Sequence, residues 1–339
     1  MAASLRVRPL DLHLRHTFRI ARGASQVRQN VVVEVEDGRN LGWGEAAPIL
    51  RYQEDRASTT AAIEVMGARL GDPRAFGQAA ARAAVPGQGA AEAAVDMALH
   101  DLAGRRLGVP LYELLGLSPG PLPETSFTIG LDTPEVVAAK VREASAYAIL
   151  KVKMGSDDDR EVVEAVRDTA PHQRIRVDAN EGWTSEGALD RLAWLRRLGV
   201  EFVEQPLPAN RLDETRALRR ASPLPFFADE SVHRAVDIPR LVGAFDGINI
   251  KLMKCGGLGE AMRMIAVARA HGLKVMLGCM IESSLAITAA AHVASLVDAT
   301  DLDGNALVVD DPYVGATLEN GRLVLPDGPG LGVCLRPGA

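Results

Sequence analysis

One pattern repeats through the last two thirds of the chain: a short apolar run ends in polar residues and is followed by a stretch with helical spacing. Corresponding polar residues stand at positions 153, 178, 204, 229, 251, 279 and 301, so successive units are 22 to 28 residues long. That is the length of one strand with one helix. With the run at 126–130 there are eight such units, and right-handed crossovers between so many parallel strands favour a closed barrel.

The sequence therefore predicts an α/β fold whose main domain is a TIM-like (β/α)8 barrel. An open, doubly wound sheet is the competing architecture. It requires a glycine-rich phosphate loop after its first strand, and no such motif stands there. In a barrel of this type the active site lies at the carboxyl ends of the strands, where the polar residues of the repeat fall.

The residues before the repeat have a different character. Strand patterns at 5–14, at 30–36 and near Trp43 precede alanine-rich helical patterns, which predicts an α+β domain. The helical pattern at 88–106 has one apolar face, formed by Ala91, Val95, Ala98, Leu99 and Leu102. The proline-rich segment 117–124 predicts a linker. We predict a first domain at 1–120, the barrel at 121–304 and a final segment at 305–339.

Charge and composition exclude several classes of partner. A net charge of -6 and a pI near 5.7 give no general attraction for nucleic acid or anionic lipid. The sequence shows neither a secretory leader nor a run of about 20 apolar residues. We therefore expect a cytoplasmic protein, a homo-oligomer, that acts on a small molecule. Three isolated cysteines without CxxC spacing predict reduced thiols: Cys255, Cys279 and Cys334.

Lys151 and Lys153 alternate along one strand, so both side chains point to the same face at the barrel mouth. Two buried ammonium groups repel each other, which lowers the pKa of each and allows one to act as a base. A solvated pair of surface lysines would show the same KxK motif. The position at the end of a strand favours the buried pair.

Asp178, Glu204 and Asp229 end three successive strands of the repeat. Three carboxylates in close quarters need a cation, and hard oxygen ligands with open positions suit Mg²⁺. The alternative for any one of them is to cap the helix that follows.

Lys251 ends the sixth strand of the repeat, which faces the second strand and its Lys153 across an eight-stranded barrel. A carbon between the two lysines can lose a proton to one and regain it from the other, while the metal stabilises the intermediate enolate. That geometry predicts a racemase or epimerase. We expect Lys254, three residues on, to be an ordinary surface charge.

Over nearly its whole length the chain resembles the muconate lactonizing subgroup of the enolase superfamily, in its KxK motif, Asp178, Asn180, Glu204, Asp229, Glu230 and Lys251. The resemblance implies a modified barrel, (β/α)7β, with an α+β capping domain. The closing PDGPGLGV is similar to the ends of these proteins, where the chain returns to the capping domain.

Asp301 and Asp303, with the motif GCMIESS, resemble the dipeptide epimerases, in which the acidic pair binds the free amino terminus of the substrate. Asp-x-Asp-Gly also occurs as a plain turn. The stretch FRIARGASQ resembles the specificity loop of the L-Ala-D/L-Glu epimerases, where an arginine binds the glutamate side chain. Arg22 fits that position best, with Arg19 and Arg28 nearby. The resemblance implies three further substrate contacts, at Lys151, Thr128 and Cys279.

The sequence thus indicates a Mg²⁺-dependent epimerase of a dipeptide, such as L-Ala-D/L-Glu from peptidoglycan turnover. Alternatives are epimerisation of a different dipeptide, o-succinylbenzoate synthesis or muconate cycloisomerisation with the same lysines, and a barrel that only binds a ligand. The acidic pair disfavours the synthase and the cycloisomerase, because their substrates carry no ammonium group.

Overall fold

The structure is a computed structural model that describes residues 4–20, 23–155 and 158–338. An antiparallel sheet near the amino terminus consists of β1 (Ser4–Ile20), β2 (Gly23–Glu36) and β3 (Leu41–Ala46). A parallel sheet consists of β4 (Ser126–Ile129), β5 (Ile149–Lys153), β6 (Arg174–Asp178), β7 (Val200–Glu204), β8 (Phe226–Ala228), β9 (Gly247–Lys251), β10 (Lys274–Gly278) and β11 (Ala299–Asp301). Two short antiparallel pairs join β12 (Tyr313–Val314) to β15 (Cys334–Leu335), and β13 (Thr317–Glu319) to β14 (Arg322–Val324).

The helices of the described residues precede the parallel sheet or alternate with its strands. They are α1 (Arg56–Arg69), α2 (Phe76–Ala83), α3 (Gly89–Leu107), α4 (Leu111–Leu114), α5 (Pro134–Glu143), α6 (Asp159–Thr169), α7 (Ala188–Arg197), α8 (Leu212–Ala221), α9 (Ile238–Leu241), α10 (Leu252–Cys255), α11 (Leu258–Ala270) and α12 (Ser284–Ala291). None of them is long and apolar enough to cross a membrane.

The eight parallel strands follow one another around the sheet in chain order, and a parallel bridge between Thr125 and Thr300 joins the last strand to the first. The predicted barrel is therefore confirmed. Its strands are buried on both faces because helices cover the outside and side chains fill the inside.

The register of the barrel strands sets the level of the polar residues. Lys153 pairs with Asp178, and Asp178 pairs in turn with Glu204. On the other side of the barrel Gly278 lies between Lys251 and Asp301. The polar strand ends therefore form two rows at one end of the barrel, as the regular repeat of strand and helix predicts.

Helix α3 is buried around nearly its whole circumference, whereas the sequence pattern predicts a single apolar face. One side packs on β3, where Gly42 and Gly44 allow close approach: a Cβ atom at Gly44 would lie 1.9 Å from the Ala94 carbonyl oxygen. The opposite side contacts α10 and α11 of the barrel. Charged residues on that side are buried because they bind backbone amides, as Asp96 does with Leu258 N at 2.6 Å.

The last residues of the chain pack against α3 and its surroundings. Leu331 N donates to Asp101 Oδ1 at 2.7 Å, and the Tyr313 ring lies 5.8 Å from that of Trp43. The limits of the three predicted domains stay predictions. The cysteines are unpaired, with Cys255 buried, Cys279 half-buried and Cys334 exposed.

Candidate active site

A cavity of about 650 Å³ lies between the barrel mouth and the amino-terminal sheet. Strands β1 and β2 and the segment 48–56 line one side of it. The barrel lines the other side with Thr128, Lys151, Lys153, Asn180, Asp229, Lys251, Cys279, Asp301 and Asp303. Nearly all the predicted site residues therefore meet in one place.

Asp178, Glu204 and Asp229 converge below the cavity, with one oxygen of each within 4.8 Å of the others, and all three are buried. Glu204 Oε1 accepts a hydrogen bond from Asn249 Nδ2 at 2.8 Å. Lys151 Nζ lies 2.7 Å from Glu204 Oε2, but no donor of the described residues meets that oxygen with hydrogen-bond geometry. Burial and the charge of Asp178 raise the pKa of Glu204 to about 8. Lysines pair with Asp178 and Asp229, whereas the charge of Glu204 is incompletely balanced. Three buried carboxylates with an unsatisfied oxygen fit a divalent cation such as Mg²⁺.

Hydrogen bonds between neighbouring turns hold these carboxylates in position. Ala179 N donates to the carbonyl of Glu204 at 3.1 Å. Gln205, which has a positive φ of 35°, uses its side-chain oxygen to accept from Asp229 N at 3.1 Å. The turns after β6, β7 and β8 are therefore linked, and the cluster is preorganised.

Lys153 and Lys251 stand on β5 and β9, which have three strands between them on each side of the barrel. Both side chains are nearly buried and line the cavity. Lys153 Nζ donates to Asp178 Oδ2 at 2.7 Å, and Lys251 Nζ donates to Asp229 Oδ2 at 2.8 Å. The two amines therefore approach the cavity from opposite sides, next to the carboxylate cluster.

The expected lowering of the lysine pKa values by mutual repulsion differs from what the structure shows. Burial lowers the pKa of Lys251, and Lys151 lowers it further, but the charges of Asp229 and Glu204 raise it above its ordinary value. The pKa of Lys151 is also raised, against burial, by Asp301, Glu204 and Asp178. Repulsion between the lysines is outweighed because carboxylates lie within 2.8 Å of their amines.

Lys254 is not a surface charge, so that expectation is wrong. Its side chain is only 1% exposed, and its Nζ bonds the Asp229 carboxylate as well as the carbonyls of Asp229, Val232 and Asn249. Helix α10 begins directly after Lys251, and its single turn brings Lys254 back over the strand ends. Although burial opposes it, the charges of Lys251 and Lys254 keep the pKa of Asp229 well below its usual value.

Asp301 and Asp303 differ in how their charges are balanced. Asp301 accepts from Ser126 Oγ at 2.6 Å and from Lys151 Nζ at 2.8 Å. Asp303 accepts from Thr128 N at 2.6 Å but has no ion pair within the described ranges. Burial and the charge of Asp301 raise the pKa of Asp303 to about 6. Among the barrel carboxylates that line the cavity, Asp303 therefore lacks the lysine partner that Asp229 and Asp301 have.

Cys279 lines the same wall, with its Sγ 3.2 Å from the Asp301 carbonyl and 3.9 Å from Asp303 Oδ1. Burial and the nearby carboxylates raise the pKa of this thiol well above its usual value, so it stays neutral. Of the three arginines considered for the specificity loop, Arg22 lies outside the described residues. Arg19 lies 3.9 Å from Asp132. Arg28 lines the cavity and has no carboxylate partner in the part of the chain that the structure describes.

Sequence reasoning missed Asn249 and Ser126, which position carboxylates of the site. Asn249 is fully buried beside Glu204, and Ser126 is fully buried beside Asp301. Asn249 could have been found from strand alternation, since it is two residues before Lys251 and shares its face. Ser126 could have been found in the same way, since it is two residues before Thr128 on β4 and shares its face.

Comparisons with known proteins show the family of the chain. The family described as mandelate racemase / muconate lactonizing enzyme, N-terminal domain, matches residues 2–116, and the family described as enolase C-terminal domain-like matches residues 135–339. An L-Ala-D/L-Glu epimerase of Bacteroides thetaiotaomicron is 43% identical over 96% of this chain and 86% of its own. An L-Ala-D/L-amino acid epimerase of Pedosphaera parvula is 41% identical over 95% of each chain.

A solved structure of similar shape is the dipeptide epimerase of Cytophaga hutchinsonii, complexed with Mg and the dipeptide D-Ala-L-Val. It has a TM-score of 0.94 at 27% identity and covers 100% of this chain and 97% of that one. By these matches, and with lysines and carboxylates at the barrel mouth, the chain belongs to the mandelate racemase/muconate lactonizing enzyme family of the enolase superfamily.

Proposed function

We propose that this protein is a Mg²⁺-dependent dipeptide epimerase that inverts the α-carbon of the C-terminal residue of its substrate. The observation that carries the proposal is the placement of Lys153 and Lys251 on opposite walls of one cavity, with the carboxylate cluster on the arc between them. A substrate carbon held between the two amines is accessible to a base on each face. The curated relatives named above, both epimerases, support this function.

The chain's own residues perform the proton transfers. A cation held by the carboxylates would offset the charges that raise the pKa of Lys251. One lysine, as a free amine, then takes the α-proton from one face, and the other, as an ammonium, returns a proton to the opposite face. Asp178, Glu204 and Asp229 would hold the cation, which when bound supplies positive charge that stabilises the carboxylate of the substrate as its α-carbon loses a proton. The lysines exchange roles in the reverse direction.

The charges around the cavity match those of a dipeptide with an acidic side chain. Asp303 offers a carboxylate without a counter-ion for the α-ammonium, and Asp301 lies next to it. We assign Arg22 to the side-chain carboxylate of a glutamate, and Thr128, Lys151 and the Cys279 backbone to contacts with the rest of the substrate. The proposed substrate is L-Ala-D/L-Glu, and we place the reaction in cytoplasmic turnover of peptidoglycan. The uncompensated Asp303 disfavours o-succinylbenzoate synthesis and muconate cycloisomerisation.

Solvent exchange tests the proposal. The protein with Mg²⁺ is incubated in D₂O with each isomer of Ala-Glu and with a library of other dipeptides, and loss of the α-proton is followed by NMR with chiral analysis of the products. We expect exchange and inversion at the C-terminal residue. Absence of exchange from every dipeptide would overturn the proposal.

Lysine variants identify the bases. We expect Lys153→Ala and Lys251→Ala each to abolish inversion, and each to lose exchange from one stereoisomer before the other. Lys274→Ala is the matched control, because Lys274 is exposed at the start of β10, at the opposite end of the barrel. Full exchange of both isomers in either active-site variant would show that this lysine is not a base.

A further inference from the structure

The segment between β3 and α1 forms part of the cavity rim. We call residues 49–54 the rim segment; it contains a short 3-10 helix, Leu50–Tyr52, and all its residues except Gln53 line the cavity. Leu50 is 79% exposed, although it is apolar. Few buried apolar contacts therefore hold the centre of this segment in position.

A bidentate ion pair fixes the rim segment to the barrel. Arg51 Nε donates to Glu181 Oε2, and Arg51 Nη2 donates to Glu181 Oε1, both at 3.0 Å. The side chain of Glu181 is 12% exposed and that of Arg51 is 40% exposed, so water screens this pair only in part. The fork of the guanidinium fixes both distance and orientation, which a single contact does not.

Glu181 is itself held firmly by the turns that carry the carboxylate cluster. It lies three residues after Asp178, at a positive φ of 67°, and its N–H donates to the carbonyl of Gln205 at 2.9 Å. Its Oε1 also accepts from Ala209 N at 2.9 Å. Arg51 is thus attached to the frame that links the ends of β6 and β7.

Two further contacts fix the second half of the rim segment to other elements. The Tyr52 ring meets His233, after β8, edge-on with centroids 4.9 Å apart. Glu54 accepts from Ala90 N, in the first turn of α3, at 3.2 Å. The Arg51 pair adds the attachment to the turn after β6, which carries Asp178.

We propose that Arg51 is a positioning residue, which acts through Glu181 to hold the rim segment as a wall of the substrate pocket. The proposal rests on the proposed epimerase function for its catalytic consequence. Arg51 does not reach the reacting carbon. Its loss leaves the lysines and the carboxylates in place and loosens only the wall against which the substrate is held.

The test measures kinetics and rim mobility for Arg51→Met, Arg51→Lys and the charge-reversed pair Arg51→Glu with Glu181→Arg. For Arg51→Met we expect KM for the dipeptide to rise about tenfold while kcat changes less than about twofold. In Arg51→Lys we expect KM to rise less than in Arg51→Met. The reversed pair should have a lower KM for the dipeptide than Arg51→Glu alone. Arg74→Met is the matched control, since Arg74 forms an exposed pair with Asp72.

Hydrogen–deuterium exchange of the rim segment needs no substrate and separates this proposal from the proposed function. The amides of Tyr52, Gln53 and Glu54 donate within the segment, and we expect them to exchange faster in Arg51→Met while barrel peptides stay unchanged. Unchanged exchange, or a fall in kcat at constant KM, would overturn the positioning role. Faster exchange in a protein that turns over no dipeptide would overturn the epimerase function and leave the attachment standing.

Discussion

Asp301 and Asp303 are two residues apart, yet they have different electrostatic surroundings. The charge of Asp301 is balanced by Lys151, whereas Asp303 has a backbone donor and no cation within the described ranges. A substrate ammonium group would therefore be stabilised more by pairing with Asp303 than with Asp301. Strand alternation predicts the two carboxylates as an equal pair, and it cannot show that a lysine from another strand neutralises one of them.

Replacement of Asp303 by Asn should remove the carboxylate that holds the α-ammonium. Loss of one partner of a buried ion pair typically costs about 3 to 5 kcal/mol, so we expect kcat/KM for dipeptides to fall at least about a hundredfold. Steady-state kinetics measure the effect, with Arg74→Met as a control for an ordinary surface change. A loss smaller than about tenfold would place the ammonium elsewhere.

The raised pKa of Asp303 predicts how activity depends on pH. Since this pKa is about 6, the carboxyl group is ionised above that pH and neutral below it. We expect kcat/KM, which reports the free enzyme, to fall by about tenfold per unit as the pH decreases below about 6. The acid limb should disappear in Asp303→Asn, and its persistence there would assign it to another group.

Arg22→Met tests the specificity loop. An arginine that pairs with a glutamate side chain should matter for Ala-Glu and hardly at all for dipeptides with an apolar second residue. We expect a selective loss of kcat/KM for Ala-Glu, measured beside Ala-Leu. The matched variant Arg28→Met decides whether Arg28, which lines the cavity, takes this role instead. An equal decrease of kcat/KM for both dipeptides in Arg22→Met would show that Arg22 does not determine specificity for glutamate.

Strands and their ends were the most predictable elements. Alternation and the regular repeat of strand and helix place Lys153, Asp178, Glu204, Asp229 and Lys251 at one end of the barrel, because the parallel register brings strand ends to one level. Lys254 is buried, although the sequence predicts a surface charge, because a one-turn helix follows β9 with no connecting loop. The sequence does not predict that α3 is buried on all sides. Hydrophobic periodicity identifies one packed face, and it does not show that α10 and α11 cover the opposite, polar face.

The carboxylate cluster on β6, β7 and β8 predicts how stability depends on the cation. The pKa of Glu204 is raised from 4.5 to about 8, so its contribution to stability is present below about 4.5 and is lost as the pH rises through about 8. In chelator at pH 8, we therefore expect Glu204→Gln to unfold at a higher temperature than the wild type. Mg²⁺ should raise the Tm of the wild type only, because the variant lacks one ligand. An equal rise in Tm on addition of Mg²⁺ to both proteins would show that Glu204 is not a metal ligand.

At the scale of the whole molecule, the amino-terminal sheet and the barrel meet through buried polar groups as well as apolar ones. Asn30 of β2 donates to Glu45 of β3 at 2.8 Å and to the carbonyl of Ile281 at 3.1 Å, in the loop after β10. Glu45 in turn accepts from Ser283 N at 3.0 Å. Glu282 lies between these contacts, is only 1% exposed and forms no ion pair with any described residue.

Glu282 should therefore make the junction of sheet and barrel less stable as the pH rises from about 4.5 to about 8. Burial and the charge of Glu45 raise the pKa of Glu282 from 4.5 to about 8. Between these values the unfolded chain has released this proton and the folded chain keeps it, so the free energy of unfolding decreases as the pH rises.

In Glu282→Gln the amide oxygen can still accept from Met280 N, as the acid does at 2.7 Å. We expect the Tm of the variant, measured in chelator from pH 6 to 9, to fall less steeply than that of the wild type. Glu64→Gln, an exposed change on α1, should leave the wild-type slope unaltered. If Glu282→Gln and the wild type lose stability in parallel over this range, the pH sensitivity belongs to other carboxyl groups with raised pKa values, such as Glu45, Glu54 and Glu204, and not to Glu282.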